Sequence, residues 1–213
     1  SYANFSRNYR AITFSDLRIA NPNFVVDPAI QDESGFNFDV GIRGDINEAL
    51  YLDINLFYLR YNDRIGLILR TDEPSFIGEA REIGLPPFFT PYRFRTNVAD
   101  SRTIGMEALV QLDWNRWLNW NSDLQLSTFV NTSIQDGRYI GSQNSAIQNR
   151  QVELVSPLTM RLGLEGTYQD FKFTLLHAYT HEHFSDATNA RRSATAVNGI
   201  IPTYQVTDLT ISY

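Results

Sequence analysis

Polar and apolar side chains alternate with a period of two along much of this chain, the signature of strands with two unlike faces. The pattern is strongest in L-Y-L-D-I-N-L, where Leu50, Leu52, Ile54 and Leu56 are apolar and Asp53 and Asn55 stand between them. The apolar run continues through Phe57, Tyr58 and Leu59 to Ile68, so one strand is expected over Leu50–Leu69. That is far longer than the roughly 5–6 residues usual in globular sheets. A tilted strand crosses a bilayer in about 9–11 residues and then projects beyond it, which gives such a length a reason.

The same alternation marks the other elements. Ser1 to Tyr9 reads as the end of a strand, followed by a polar loop rich in Asn, Asp and Pro. Phe36, Phe38, Val40 and Ile42 then oppose Asn37, Asp39, Gly41 and Arg43, and Asp45 to Ala49 turn the chain into the long strand. A second loop, about Arg70 to Arg93, carries Pro74, Pro86, Pro87 and Pro91 with Phe88 and Phe89. Structureless loops beyond roughly 12–15 residues are uncommon unless functional. Ile104, Met106, Ala108, Val110 and Leu112 alternate with polar neighbours, and so do Leu124 to Thr132 and Leu158 to Glu165. A turn near Tyr168 to Asp170 leads into F-K-F-T-L-L-H-A-Y-T. Further loops are expected over about Gln135 to Gln151 and His181 to Pro202, before a last strand from Tyr204 to Tyr213.

Eight strand segments result, the first and last reading as truncated, joined by connections that alternate between long and short. Short turns at one end and long loops at the other are the layout of an antiparallel up-and-down transmembrane β-barrel. The polar faces strengthen this. Asp39, Arg43, Asp53, Asn55, Glu107, Gln111, Gln125, Asn131, Arg161 and Glu165 are too many charged and amide groups for a dry core. They suit the lumen of a barrel wide enough for water or a plug. Trp114, Trp117 and Trp120 crowd one turn. Indole rings favour the headgroup layer, where the ring is buried and the N–H stays wet, so the three fit a membrane-interface girdle; a soluble hydrophobic cluster is the other reading.

Composition narrows the class. No window approaches 18 consecutive apolar residues, which excludes a membrane helix but is blind to a barrel. The net charge of -6 and the lack of a basic stripe argue against a nucleic-acid partner. Cysteine is absent, so there is neither a disulfide framework nor a thiolate metal site. The chain begins at Ser1 and stops at Tyr213 inside a strand, and reads as a piece cut from a longer protein, whose missing signal peptide says nothing of location.

Catalytic chemistry finds little footing. His177, His181 and His183 are the three histidines, and a metal site needs three or four convergent ligands with supporting bonds behind them. Placed beside the apolar positions Phe171, Phe173 and Leu175, they are expected at the outer interface instead. Asp39 with Asp53, or Glu107 with Glu165, pair carboxylates on paper, but solvated lumen charges explain them. No nucleophile elbow is present. No enzyme activity and no cofactor are expected.

Several stretches carry a family resemblance. S-Y-A-N-F-S-R-N-Y-R, then F-S-D-L-R-I-A-N-P-N-F-V-V-D-P and D-E-S-G-F-N-F-D-V-G-I-R-G, resemble TonB-dependent outer-membrane receptors where a strand end, a loop and the next strand meet. L-D-I-N-L-F-Y-L-R-Y-N-D-R-I-G, T-I-G-M-E-A-L-V-Q-L, H-F-S-D-A-T-N-A and Y-Q-V-T-D-L-T-I-S-Y are similar to pieces of the same receptors in the same order. The S-D-L-R-I and F-S-D-A-T-N versions most resemble ferric-dicitrate receptors. The resemblance implies a barrel of about 22 strands closed by an N-terminal plug. It also implies uptake of a ferric siderophore or similar chelate, energised through the plug by TonB, in the outer membrane. No plug, TonB-box segment or closing strand is found here, so residues 1–213 are expected to form one partial barrel domain. For an anionic chelate the useful groups are arginines above the lumen, whose planar fork grips carboxylates. Arg18, Arg81, Arg93 and Arg95 lie on the loops or their edges. The residues alone leave two other readings open, a passive porin-like channel and a soluble β-sandwich that binds a ligand.

Overall fold

The computed structural model describes residues 1–17, 24–70, 92–142, 145–191 and 199–213. Strands dominate it: β1 (Tyr2–Arg10), β2 (Phe24–Val26), β3 (Glu33–Ile46), β4 (Leu50–Arg70), β5 (Tyr92–Asp113), β6 (Leu124–Ile140), β7 (Leu158–Tyr168), β8 (Phe171–Thr180), β9 (His183–Phe184), β10 (Ile200–Ile201) and β11 (Tyr204–Ser212). Eight of them form a continuous antiparallel wall in the order β1-β3-β4-β5-β6-β7-β8-β11, each paired with its neighbour in sequence among the long strands. This is the all-β up-and-down arrangement that the alternation implies. β1 and β11 do not pair with each other, so the wall is open among the described residues. β2 adds to the loop end of β5 in parallel, and β9 with β10 forms a separate two-stranded ladder.

Register turns the alternation into two faces. Residues directly opposite in an antiparallel pair share a face, so Ile42, Ile54, Ala108, Thr132, Met160 and Tyr179 form one cross-strand row. The next row runs Gly41, Asn55, Glu107, Ser133, Thr159 and Thr180 on the other face. One side of the sheet is apolar and outward-looking. Phe38, Val40, Ile42, Leu56, Ile104, Ile134, Leu209 and Ile211 all stay more than two-fifths exposed on it. An uncovered apolar face of that breadth is incompatible with water as its only neighbour.

Several strands are longer than the alternation suggests. β5 starts at Tyr92 rather than near Thr103, β6 runs to Ile140 rather than turning at Gln135, and β3 begins at Glu33 rather than Phe36. Beyond the apolar band both faces meet protein or water, so period-two polarity fades while backbone pairing continues. The first hairpin is also tighter than the five residues expected: Ile46 pairs with Leu50, leaving three in the turn. Asn47 (φ 51°) and Glu48 (φ 55°) take the left-handed conformation, which Asn tolerates better than most residues.

Four glycines fit the sheet by letting an aromatic ring of the paired residue lie across them. Tyr2 covers Gly41, Phe57 covers Gly105, Phe129 covers Gly163 and Phe173 covers Gly166. A Cβ at Gly163 would come within 2.0 Å of the Phe129 ring, and one at Gly166 within 2.1 Å of the Phe173 ring. Pairing of this kind fills the gap that a glycine leaves on a strand surface and pins register.

A bulge in β4 separates two regimes. Pairing with β5 shifts between Tyr61 and Ile65, where Asp63 has φ 54° and its N–H donates to Asp100 Oδ1 at 3.2 Å. Before the bulge even-numbered residues of β4 are on the apolar face. Past it, Gly66 and Ile68 share the side of Tyr139, whose strand neighbour Ser101 belongs to the polar face. The small enclosed core lies here, at the loop end: Ile68, Tyr92, Phe94, Val98, Tyr139, Ile147, Val152 and Ala187. The segment after β6 packs down on this part of the wall, with Val152 N–H donating to the Gly137 carbonyl at 3.1 Å and Tyr139 N–H to the Arg150 carbonyl at 2.9 Å.

The ring contact over Gly163 gives a direct test. Gly163→Val should drive a branched side chain into Phe129 and destabilise the protein by about 1–3 kcal/mol, read as a lower thermal midpoint by circular dichroism. Gly44→Val, where nothing lies within 4 Å, should leave the midpoint nearly unchanged.

Candidate functional site

The polar face is lined along its length by groups that find one another across strands. The ten residues Asp39, Arg43, Asp53, Asn55, Glu107, Gln111, Gln125, Asn131, Arg161 and Glu165 all stand on it by register. Arg43 Nε donates to Asp53 Oδ2 at 2.8 Å, Tyr2 O–H donates to Asp53 Oδ1 at 3.2 Å, and Asn4 donates to Asp39 at 2.9 Å. These are exposed or half-buried pairs of modest strength. They set side-chain direction more than stability.

A cavity opens at each end of the sheet, and their charges differ. The turn-end cavity, about 390 Å³, is lined by Asp45, Glu48, Asp113 and Glu165, with no arginine or lysine in its wall. The loop-end cavity, about 410 Å³, is lined by Arg10, Arg64 and Arg95 with Glu33, Glu153 and Tyr61. An anion is repelled by the first and finds cations in the second.

Asp16 organises the loop end. It sits in a helical turn, Phe14–Leu17, and is fully buried. Arg10 Nη2 donates to both its oxygens, at 2.8 and 2.9 Å, and Arg95 Nε donates to Oδ1 at 3.0 Å. Thr13 adds its backbone N–H at 2.9 Å and its hydroxyl at 2.6 Å. Burial alone would raise the Asp16 carboxyl, but the Thr13 bonds and the two guanidinium groups outweigh it and hold the group well below the usual carboxylate range. Arg10 also pairs with Glu33 at 2.8 Å, and Glu33 accepts the Ile65 N–H at 2.8 Å just past the bulge. The first loop is thereby tied to β1, β3, β4 and β5 at once. Beside this, fully buried Tyr139 donates to Glu153, and burial followed by the Glu153 charge pushes its phenol up.

Of the four arginines singled out from sequence, Arg95 lines the cavity and Arg93 does not. Arg93 lies over the Phe24 ring at 5.1 Å, and burial lowers its pKa against the opposing pull of Asp186. Arg18 and Arg81 lie outside the described residues. Arg10 and Arg64, which complete the cavity, carry no signal in the sequence beyond their charge, because each closes or interrupts a strand. Trp114 donates its indole N–H to Thr128 Oγ1 at 3.1 Å, while Trp117 and Trp120 are 47% and 45% exposed at the turn end. The histidines separate. β8 stops at Thr180, so His181 and His183 do not share one strand face. His177 meets Thr207 at 2.8 Å on the apolar face, His181 meets the Tyr179 hydroxyl at 3.0 Å, and His183 donates to the His181 carbonyl at 3.0 Å. Among the described residues no cluster of three or more His, Asp or Glu is arranged to hold a metal ion.

Comparison with known proteins agrees with this architecture. Residues 2–213 match the family described as TonB dependent receptor-like, beta-barrel. Among solved structures, the ferric citrate transporter FecA in its unliganded form superposes with a TM-score of 0.62 at 16% identity, covering 84% of this chain and 23% of that one. The copper transporter OprC gives 0.64 at 14% identity, covering 99% of this chain and 28% of that one. A mutant ferric enterobactin receptor of Pseudomonas aeruginosa, in complex with enterobactin, gives 0.58 at 14% identity, covering 99% and 30%. The chain thus spans less than a third of the structures it resembles, and at these identities they show its fold alone. No curated protein sequence matches it. With its apolar outer face, its alternating turns and loops and the family match over nearly its whole length, the chain belongs to the TonB-dependent receptors, as part of their outer-membrane β-barrel.

Proposed function

We propose that this chain is a wall segment of a TonB-dependent transporter that takes up an anionic ferric chelate, a ferric siderophore or ferric citrate. The observation that carries this reading is the loop-end cavity of about 410 Å³, where Arg10, Arg64 and Arg95 converge from three strands beside Tyr61. Guanidinium forks bind carboxylates through paired hydrogen bonds. A polycarboxylate entering there competes with Asp16 and Glu33 for the same donors, so binding and release of the first loop are coupled. The ferric citrate transporter and the enterobactin-bound receptor among the related folds support iron chelates as the ligand class.

In this reading the ten polar-face residues line the passage through the barrel, and Trp114, Trp117 and Trp120 anchor the turn end in the headgroup layer. Arg18 and Arg81 serve as further loop contacts to the ligand. Residues 1–213 form one barrel unit, while the plug, its contact with TonB and the closing strands belong to the rest of the protein. Outer-membrane lipid covers the apolar face.

Four measurements test these statements. In a strain lacking the parent gene, with ferric citrate as sole iron source, the wild-type protein should restore iron-limited growth. The double variant R10A/R95A should cut labelled ferric citrate uptake about tenfold or more at equal amounts of assembled barrel. Failure of the wild type to restore growth removes the ligand assignment. Asp16→Asn should loosen the first loop by about 1–3 kcal/mol, read as faster proteolysis of the loop in the assembled protein. The folded-state pKa of Asp16 is lowered, so its stabilisation is complete above about pH 4 and fades as the pH falls below that; the difference between wild type and variant should shrink in the same window. Leu56→Arg, in the middle of the apolar band, should cost about 2–4 kcal/mol of barrel stability, seen as reduced assembly in the outer membrane.

A further inference from the structure

Four arginines and one phenylalanine share a cross-strand row on the apolar face. Arg7 pairs with Phe36, Phe36 with Arg60, Arg60 with Arg102, and Arg102 with Arg138. Like charges directly opposite on neighbouring strands repel, yet three guanidinium groups stand side by side here. Their height is informative. Ten residues separate Leu50, at the turn end, from Arg60. At about 3.3 Å per residue and a tilt near 40°, that rises roughly 25 Å, the height of the apolar band of an outer-membrane barrel. The row therefore stands where the band ends on the loop side. Aromatic rings lie just below it: Phe5 is 6.0 Å from Phe36, and Phe36 stacks on Tyr58 at 5.7 Å.

The nearby carboxylates do not balance these charges. Arg60 pairs with Asp100 at 3.1 Å and Arg138 with Asp136 at 2.7 Å. Arg7 and Arg102 are exposed and have no ion pair among the described residues. Four cations face two anions.

We infer that the Arg7–Arg102–Arg138 row is a binding site for the phosphate groups of a lipid in the outer leaflet, held with its acyl chains against Phe38, Tyr58 and Ile104. A lipid is the occupant that fits, because the cations sit directly above apolar surface on the face turned away from the passage. A phosphate bound there bridges neighbouring guanidinium groups and turns their repulsion into attraction. This rests on the reading that the apolar face meets lipid, which Leu56→Arg tests separately.

The experiment uses the full-length receptor purified in detergent and offered lipid A carrying two phosphates or the same lipid stripped of phosphate, with retention read by native mass spectrometry. The wild type should retain the phosphorylated form at least tenfold better. R7Q/R102Q should lose most of that preference while assembling normally and still holding the stripped lipid, and millimolar inorganic phosphate should not displace the phosphorylated lipid. Equal retention of the two lipids by the wild type overturns the site, and needs no variant to fold. So does an unchanged preference in R7Q/R102Q, or displacement by inorganic phosphate, which would mark a site for free anions. None of these outcomes touches the apolar band, whose failure would show instead as normal assembly of Leu56→Arg.

Discussion

Backbone hydrogen bonding between neighbouring strands is the constraint on which the rest of this structure depends. In hydrocarbon no water is present to satisfy an N–H or a carbonyl, so a strand that enters the membrane must be paired along its whole depth. The seven antiparallel ladders from β1 to β11 do this without interruption through the apolar band. Once pairing is fixed, alternation does the sorting: rows such as Ile42, Ile54, Ala108 and Thr132 go to one face, and Gly41, Asn55, Glu107 and Ser133 to the other. A one-residue slip would exchange the two rows. The aromatic rings seated on Gly41, Gly105, Gly163 and Gly166 oppose such a slip, since each ring fits only where its partner has no side chain.

At the loop end the physics changes. Water and protein replace lipid, and the wall acquires a small core of its own, with Tyr139 and Ile147 almost completely buried. Here the ordering groups are charges. Asp16 accepts from residues on β1 and β5 and from Thr13 just before its own helical turn, so the first loop is held by a buried anion rather than by apolar area. An anchor built from guanidinium groups is also one that an incoming polyanion is equipped to contest. In the proposed function, stability of the loop and recognition of a ligand draw on the same donors.

How much of this was legible in the sequence depends on the solvent each part faces. Between Leu50 and Arg60 each residue has lipid on one side or the polar face on the other, and alternation exposes the strand directly. The same holds for Thr103 to Leu112 and Leu158 to Glu165. Past those limits the signal fails for a physical reason: Tyr92 to Arg102 and Gln135 to Ile140 are strands whose faces meet protein or water rather than lipid, so polarity carries no clear period. The glycine partners were hidden too, because a glycine inside a strand reads as weakness until the ring opposite it is known. The cavity was legible only in kind. Arginines above the passage are a reasonable expectation for an anionic ligand, but that Arg10 and Arg64 meet Arg95 follows from register and from the bulge, which no local pattern encodes.

The bulge at Tyr61–Ile65 has a mechanical meaning as well. On its membrane side the even-numbered side chains of β4 point toward lipid; beyond it Gly66 and Ile68 turn to the opposite side. Sliding the protein a few ångströms deeper along the bilayer normal would therefore bring the irregular backbone of the bulge, with Arg60 and Arg64 beside it, into the hydrocarbon, rather than merely lengthening or shortening the greasy belt. A smooth strand would tolerate that excursion at a fraction of a kcal/mol per Å. This one has a built-in depth stop, so the bilayer must adjust its thickness to the protein.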